Sequence, residues 1–188
     1  MFHFTSAVRV LCADMAARLP QLCHVDMDRV AVGFCQTRRN VSHGMQASLT
    51  PLRFAGGATA ETRRGRRYVC PHIFRPDGGE YLYLLNFYLP RFQNYPFSEK
   101  LTTVVHELWH ISPLFDGDLR RHAGRCYAHG ASQQLFDAPA AELARRWRAA
   151  APPPRCYDFL QVDFHELCHR HGGVIGEHYT VPKLVASA

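Results

Sequence analysis

No apolar run in this chain approaches the ~18 residues that a membrane-spanning helix needs, so a bilayer span is not expected. No C-x-x-C pair occurs either. Cys12, Cys23, Cys35, Cys70, Cys126, Cys156 and Cys168 are odd in number and scattered. That argues against a disulfide framework or a zinc ribbon and for reduced, mostly buried thiols. Repeats and low-complexity tracts are missing, and the triple proline at 152–154 lies too near the end to divide two domains. The opening "MFHFTSAVRVLCADMAARLP" has no basic n-region, and Arg9 and Asp14 interrupt its apolar part. It reads as a folded helix and not as a leader, so a cytoplasmic protein is expected. Charge of one sign does not dominate: a formal net charge of +6 permits an acidic partner such as DNA without demanding one. What is present is a globular composition, 47% apolar and 12% aromatic over 188 residues. One domain spanning 1–188, with a real core, is expected.

Phe4, Val8, Leu11 and Met15 recur at helical spacing, which predicts an amphipathic helix over 5–19 ended by Pro20. Strands are predicted at 29–35, 47–57 and 66–74, with "PDGG" as a turn. "EYLYLLNFYLP" (80–90) is apolar on both faces and reads as a strand covered on both sides. A helix follows from Ser98, read as the N-cap with Glu99 in the first turn, to about Ile111, because Pro113 biases Ser112 away from helix. Further helices are expected over 139–150, opening on Pro139, and over 157–170, stopping at Gly172-Gly173. "GVIGEHYTV" reads as a last short strand.

His-Glu-x-x-His occurs twice, in "LTTVVHELWH" (101–110) and "VDFHELCHRH" (162–171). Histidines four apart stand one turn above each other on a helix, so both imidazoles can reach one ion. The glutamate after the first histidine then lies beside that ion, where it can take a proton from water. Context separates the copies. A catalytic helix sits inside the domain, and around His106 and His110 the other positions are Thr103, Val104, Val105, Leu108, Trp109 and Ile111. The second copy is flanked by Asp163 and Arg170, which suit a half-exposed terminal helix. The first copy is therefore the candidate centre. A third ligand is sought downstream, and Asp116, His122 and His129 all qualify by position. Asp116 stands six beyond His110, where metzincin-type zinc proteases place a third ligand. However, Pro113 stands where their turn glycine belongs, and every methionine precedes the helix, so their downstream Met-turn has no counterpart. Asp116 and Asp118 also read as turn formers or as acceptors for a ligand histidine's free N–H. Arg120 and Tyr127 are candidate oxyanion donors, and a salt bridge to one of the aspartates is the alternative for Arg120.

"TTVVHELWHISPLFDGDLRRHAGR" (102–125) resembles phage-type and bacterial zinc metallopeptidase domains, whose motif reads His-Glu-Leu-x-His-Ile, Phe-Asp-Gly, Leu-Arg-x-His. More distantly it is similar to SprT-like and Spartan-like minimal zincins. The resemblance covers about residues 80–130. It implies Zn2+ as cofactor, His106, His110 and His122 as ligands, Glu107 as the catalytic glutamate and a peptide or protein as substrate. It departs at Arg121, where relatives often have proline, and at Ala123, which precedes Gly124. These departures keep His129 as an alternative. The implied fold is α+β: a small, mostly antiparallel sheet packed on an N-terminal helix and a central His-Glu-x-x-His helix, with C-terminal helices. In this reading the strand 81–89 is a shelf on which an extended peptide pairs by main-chain hydrogen bonds. The competing reading is a catalytically silent zincin-like binding module. A DNA-associated role would use "ETRRGRRY" (61–68) and "ARRWR" (144–148), where arginines stand beside aromatic residues. Both stretches otherwise read as a solvated hairpin turn and an outer helix face.

Overall fold

The computed structural model describes residues 1–37, 44–121 and 133–187, the first five of the last stretch by backbone alone. In chain order the elements are β1 (Phe2–His3), α1 (Phe4–Arg18), β2 (Val30–Gln36), β3 (Ala47–Pro51), β4 (Ala60–Arg63), β5 (Arg66–Val69), β6 (Ile73–Phe74), β7 (Glu80–Tyr81) and β8 (Tyr83–Leu89). They continue with α2 (Phe97–Trp109), α3 (Gln133–Ala149), α4 (Phe164–His171), β9 (Val174–Ile175) and β10 (Val185–Ser187). The architecture is α+β. No helix among the described residues is long and apolar enough to cross a membrane.

The sheet that organises the molecule has the order β2-β8-β3, with β2 parallel and β3 antiparallel to β8. It is mixed, where a mostly antiparallel sheet was expected. A parallel neighbour needs covered faces. The sequence of β8 supplies them, since Tyr83, Leu84, Leu85, Phe87 and Leu89 are all buried. Gly33 lets β2 lie against β8, because a Cβ there would stand 2.6 Å from Asn86 Oδ1. The two edges of this sheet differ. Phe34 N–H donates to the Glu177 carbonyl at 3.0 Å, so the returning C-terminal segment covers β2. The outer edge of β3 faces α2.

The central position of β8 corrects the shelf reading of 81–89. Both of its edges are paired, so it has no main-chain groups left for a peptide. A smaller sheet, β10-β5-β4, carries the arginine-rich hairpin, whose tip turns through Arg64 at φ 50° and Gly65 at φ 76°.

α1 buries Phe4, Val8, Leu11, Cys12 and Met15, the stripe that its spacing predicts. Two helix starts differ from expectation. The N-cap of α2 is Pro96 and not Ser98. α3 begins six residues before Pro139 and holds that proline in its interior. It is kept helical by a buried stripe of Ala140, Leu143, Ala144 and Trp147 that belongs to the main core. α4 is shorter than the predicted 157–170: Asp158–Gln161 form a separate 3₁₀ turn, and Asp163 caps α4 by accepting from Glu166 N–H at 2.8 Å. It ends, as expected, at Gly172 in the left-handed region. Of the last predicted strand only Val174–Ile175 form a strand, on β1, while Glu177 accepts one main-chain bond from Phe34 of β2. Among the described cysteines all six are free; Cys12, Cys70 and Cys156 are buried and Cys23 is exposed.

α2 is fastened at its start by Lys100, only 2% exposed, whose Nζ donates to the carbonyls of Gln93 at 2.6 Å and Val162 at 2.9 Å. Burial lowers its pKa from 10.5 to about 8, the nearby Asp163 charge acting the other way. Between those values the unfolded chain holds a proton that the folded one has released, so this group makes stability rise with pH across the window and lose that gain as pH falls through about 8. Urea midpoints of the wild type relative to Lys100→Met should therefore climb from pH 7.5 to pH 10. A flat difference would show that Lys100 does not titrate there.

Candidate metal centre on α2

α2 turns Leu101, Val104, Val105 and Leu108 into the core, which leaves His106 and His110 on the side facing β3. Their Nε2 atoms stand 3.1 Å apart, with ring centroids 4.8 Å apart and planes at 77°. Two imidazoles bound tetrahedrally at 2.0–2.1 Å would place these nitrogens about 3.3 Å apart. The pair is already converged to within a few tenths of an ångström of that value.

Glu107 lies between them in sequence and is 8% exposed. Burial raises its carboxyl pKa to about 7, while a hydrogen bond from the Leu49 main chain acts in the opposite direction. Such a group can both accept and return a proton near neutrality. A cleft of about 780 Å³ opens over the three side chains. Its walls are Gly44–Leu49 on one side and the exposed face of α2 on the other, with Leu119 between. Thr103 Oγ1 donates to Gln46 Oε1 at 2.8 Å, holding strand and helix together across the floor.

The edge of β3 could not be read from the sequence. Tyr88 N–H donates to the Gln46 carbonyl at 2.9 Å, and Ser48 registers with Asn86. Even-numbered residues of β3 thus pair inward, and Ala47 and Leu49 turn their main-chain groups toward the cleft. Pro51, which has no N–H, ends that edge.

Of the other candidates, His122, His129 and Tyr127 lie outside the described residues. Asp116 does not join the pair. Its Oδ1 accepts from Asp118 N–H at 3.1 Å, forming the turn. Among the described residues no group of three or more His, Cys, Asp or Glu side chains is placed to hold a metal. Asp118 accepts from Arg121 Nε at 2.8 Å and Nη2 at 3.0 Å, and these bonds hold its carboxyl below the usual range against the opposing effect of burial. Arg120 is corrected on both counts. It neither lines the cleft nor pairs with Asp116 or Asp118: its Nε donates to the Trp109 carbonyl at 2.8 Å, and its guanidinium lies 4.0 Å from the Trp109 ring centroid.

The second His-Glu-x-x-His lies on α4 with His165 and His169 exposed. Its Glu166 accepts from Arg170 Nε at 2.6 Å, which holds the carboxyl low. A carboxylate held low in this way is a poor proton acceptor. The tryptophan of "ARRWR" is buried, with Trp147 Nε1 donating to Asp14 at 2.8 Å, and Arg148 lies 4.3 Å from the Tyr157 ring centroid. Trp147 therefore offers no stacking platform. Trp147→Ala should cost about 3–5 kcal/mol of stability in urea unfolding, as core aromatic truncations do; a cost near zero would place the indole at the surface.

Comparison with family models, with curated proteins and with solved structures finds no match to this chain.

Proposed function

We propose that the chain is a zinc-dependent metallopeptidase, a minimal zincin-like domain with its centre on α2. The observation that carries this reading is the convergence of the His106 and His110 Nε2 atoms at 3.1 Å beside a buried glutamate and an open strand edge. The donor set fits zinc, which takes neutral imidazole nitrogen and leaves a place for water when three protein ligands bind. His122 is the proposed third ligand, on the strength of the resemblance, with His129 as the alternative. Zinc held there supplies positive charge that acidifies water and polarises a carbonyl.

The chain's own residues do the rest. An extended peptide adds to the outer edge of β3, where Ala47 offers its N–H and carbonyl and Leu49 its carbonyl. That pairing is indifferent to sequence and sets the backbone across the cleft. Glu107 takes a proton from the attacking water onto its carboxylate and returns it to the leaving amine nitrogen. Its burial keeps competing solvent away from the carboxyl, and the Leu49 main chain fixes its direction. No described strand pairs with the outer edge of β3, and such an edge beside a carboxylate with a pKa near neutrality has no evident use in a purely structural metal site.

The test is metal content of the purified chain together with casein cleavage, with and without a chelator. Zinc near one equivalent per chain and chelator-sensitive cleavage are expected. A chain that binds zinc but cleaves nothing under any condition favours the silent binding module.

A further inference from the structure

The second histidine of the pair sits at a weak place. Regular helix ends at Trp109, and His110 is the capping residue, at φ −67° and ψ −19°. Carbonyls at a helix end have no partner within the helix, and the last turn frays unless something outside holds it. Convergence of His106 with His110 depends on that turn, because only helical geometry brings residues four apart onto one face. No glycine follows to make a left-handed cap. The chain runs on through Ser112 and Pro113.

The returning segment supplies the fastening. Arg120 N–H donates to the His110 carbonyl at 2.6 Å, and Arg120 Nε donates to the Trp109 carbonyl at 2.8 Å. Its guanidinium covers the Trp109 ring, a cation at the negative end of the helix. Leu119 bridges to Ile111, and Ser112 N–H donates to the Asp118 carbonyl at 3.2 Å. Asp118, 6% exposed, anchors this segment: its carboxylate accepts from Gly56 N–H at 3.0 Å and Leu119 N–H at 2.8 Å besides Arg121. Tyr83, in the central strand, donates to the Asp118 carbonyl at 2.9 Å and accepts from Gly117 N–H at 3.0 Å. A continuous set of bonds thus runs from the middle of the sheet to the end of α2.

We infer that Arg120, held in place by Asp118, is a positioning residue for the histidine pair: it clamps the last turn of α2 and so keeps the His110 imidazole converged on that of His106. Its geometry stands by itself, and its consequence for metal binding rests on the zinc reading above. The variants are Arg120→Gln, Arg120→Lys and Asp118→Asn, with Leu11→Ala in α1 as a remote core control. Amide hydrogen exchange is read in the metal-free chain, and zinc affinity by competition with a chromophoric chelator well below the unfolding temperature.

In Arg120→Gln the His110 and Ile111 amides should exchange at least about tenfold faster while those of β8 keep their rates. Zinc affinity should fall about 10–100-fold, the range found when residues supporting a ligand are changed. Arg120→Lys, which keeps a cation on the Trp109 ring, should recover part of both. Leu11→Ala should lower the melting temperature and leave zinc affinity of the folded chain unchanged. Wild-type exchange at His110 and Ile111 in Arg120→Gln overturns the clamp, and faster exchange with unaltered zinc affinity overturns its role in positioning the histidine pair. If Asp118→Asn does not fold, the Arg120 pair decides. A wild-type chain that takes up no zinc defeats the metal reading, and the exchange rates then judge the clamp alone.

Discussion

Glu107→Gln is expected to keep zinc at the wild-type stoichiometry while hydrolysis of a protein substrate falls by about 10²–10⁴-fold, the usual contribution of a positioned general base. The amide has the shape of the carboxyl and can still accept from the Leu49 main chain through its carbonyl oxygen, so fold and cleft should persist. What it cannot do is take a proton at neutral pH. The carboxyl it replaces is 8% exposed and has a pKa raised to about 7 by burial, so no nearby solvent group substitutes for it easily. Zinc content by atomic spectroscopy and cleavage rates on the same sample check both halves. A variant that cleaves at the parent rate removes Glu107 from the chemistry, and one that loses zinc as well makes it part of the metal's support.

Zinc at a hundred times its dissociation constant should stabilise the chain by up to about 2.7 kcal/mol, the full value applying when it binds the folded state alone. For a domain of this length that corresponds to a rise in melting temperature of about 5–11 °C. The shift should shrink to a small fraction of its wild-type size in His106→Ala and in His110→Ala, because the ion then keeps only one imidazole of the converged pair beside the third ligand. His169→Ala, in the other His-Glu-x-x-His, should keep the whole shift, its side chain being exposed on α4. Scanning calorimetry of the four proteins with and without zinc is sufficient. A shift that survives both changes on α2 but disappears with His169 would put the ion on the wrong helix for everything proposed above.

Local pattern made some of this legible before any coordinates. The stripe of Phe4, Val8, Leu11 and Met15 located α1 to within a residue, and the valine-rich 29–35 located β2. The contrast between Val104, Val105 and Leu108 around one motif and Asp163 and Arg170 around the other separated a half-buried helix from an exposed one. Where pattern misled, tertiary packing had outweighed a local rule. Proline was read as a helix start at 139, but the buried stripe ending in Trp147 holds α3 together through it. The apolar run of 81–89 was read correctly as a strand and wrongly as a shelf, because burial of both faces says nothing about pairing of both edges. Arg120 was read by its charge alone, as an oxyanion donor or as a salt-bridge partner of a neighbouring aspartate. Its direction depends on the turn at Asp116–Asp118, which aims it at Trp109 instead of the cleft.

Two kinds of information are therefore involved. Residue order alone determined that an imidazole pair and a carboxylate share one amphipathic helix, since helical periodicity is set by the backbone and needs no partner. Which strand lies open beside that helix, how deeply Glu107 is buried, and what holds the helix end at His110 were decided only in three dimensions. Each depends on contacts between segments far apart in sequence, Leu49 with Glu107 and Tyr83 with Asp118, and no local pattern encodes such contacts.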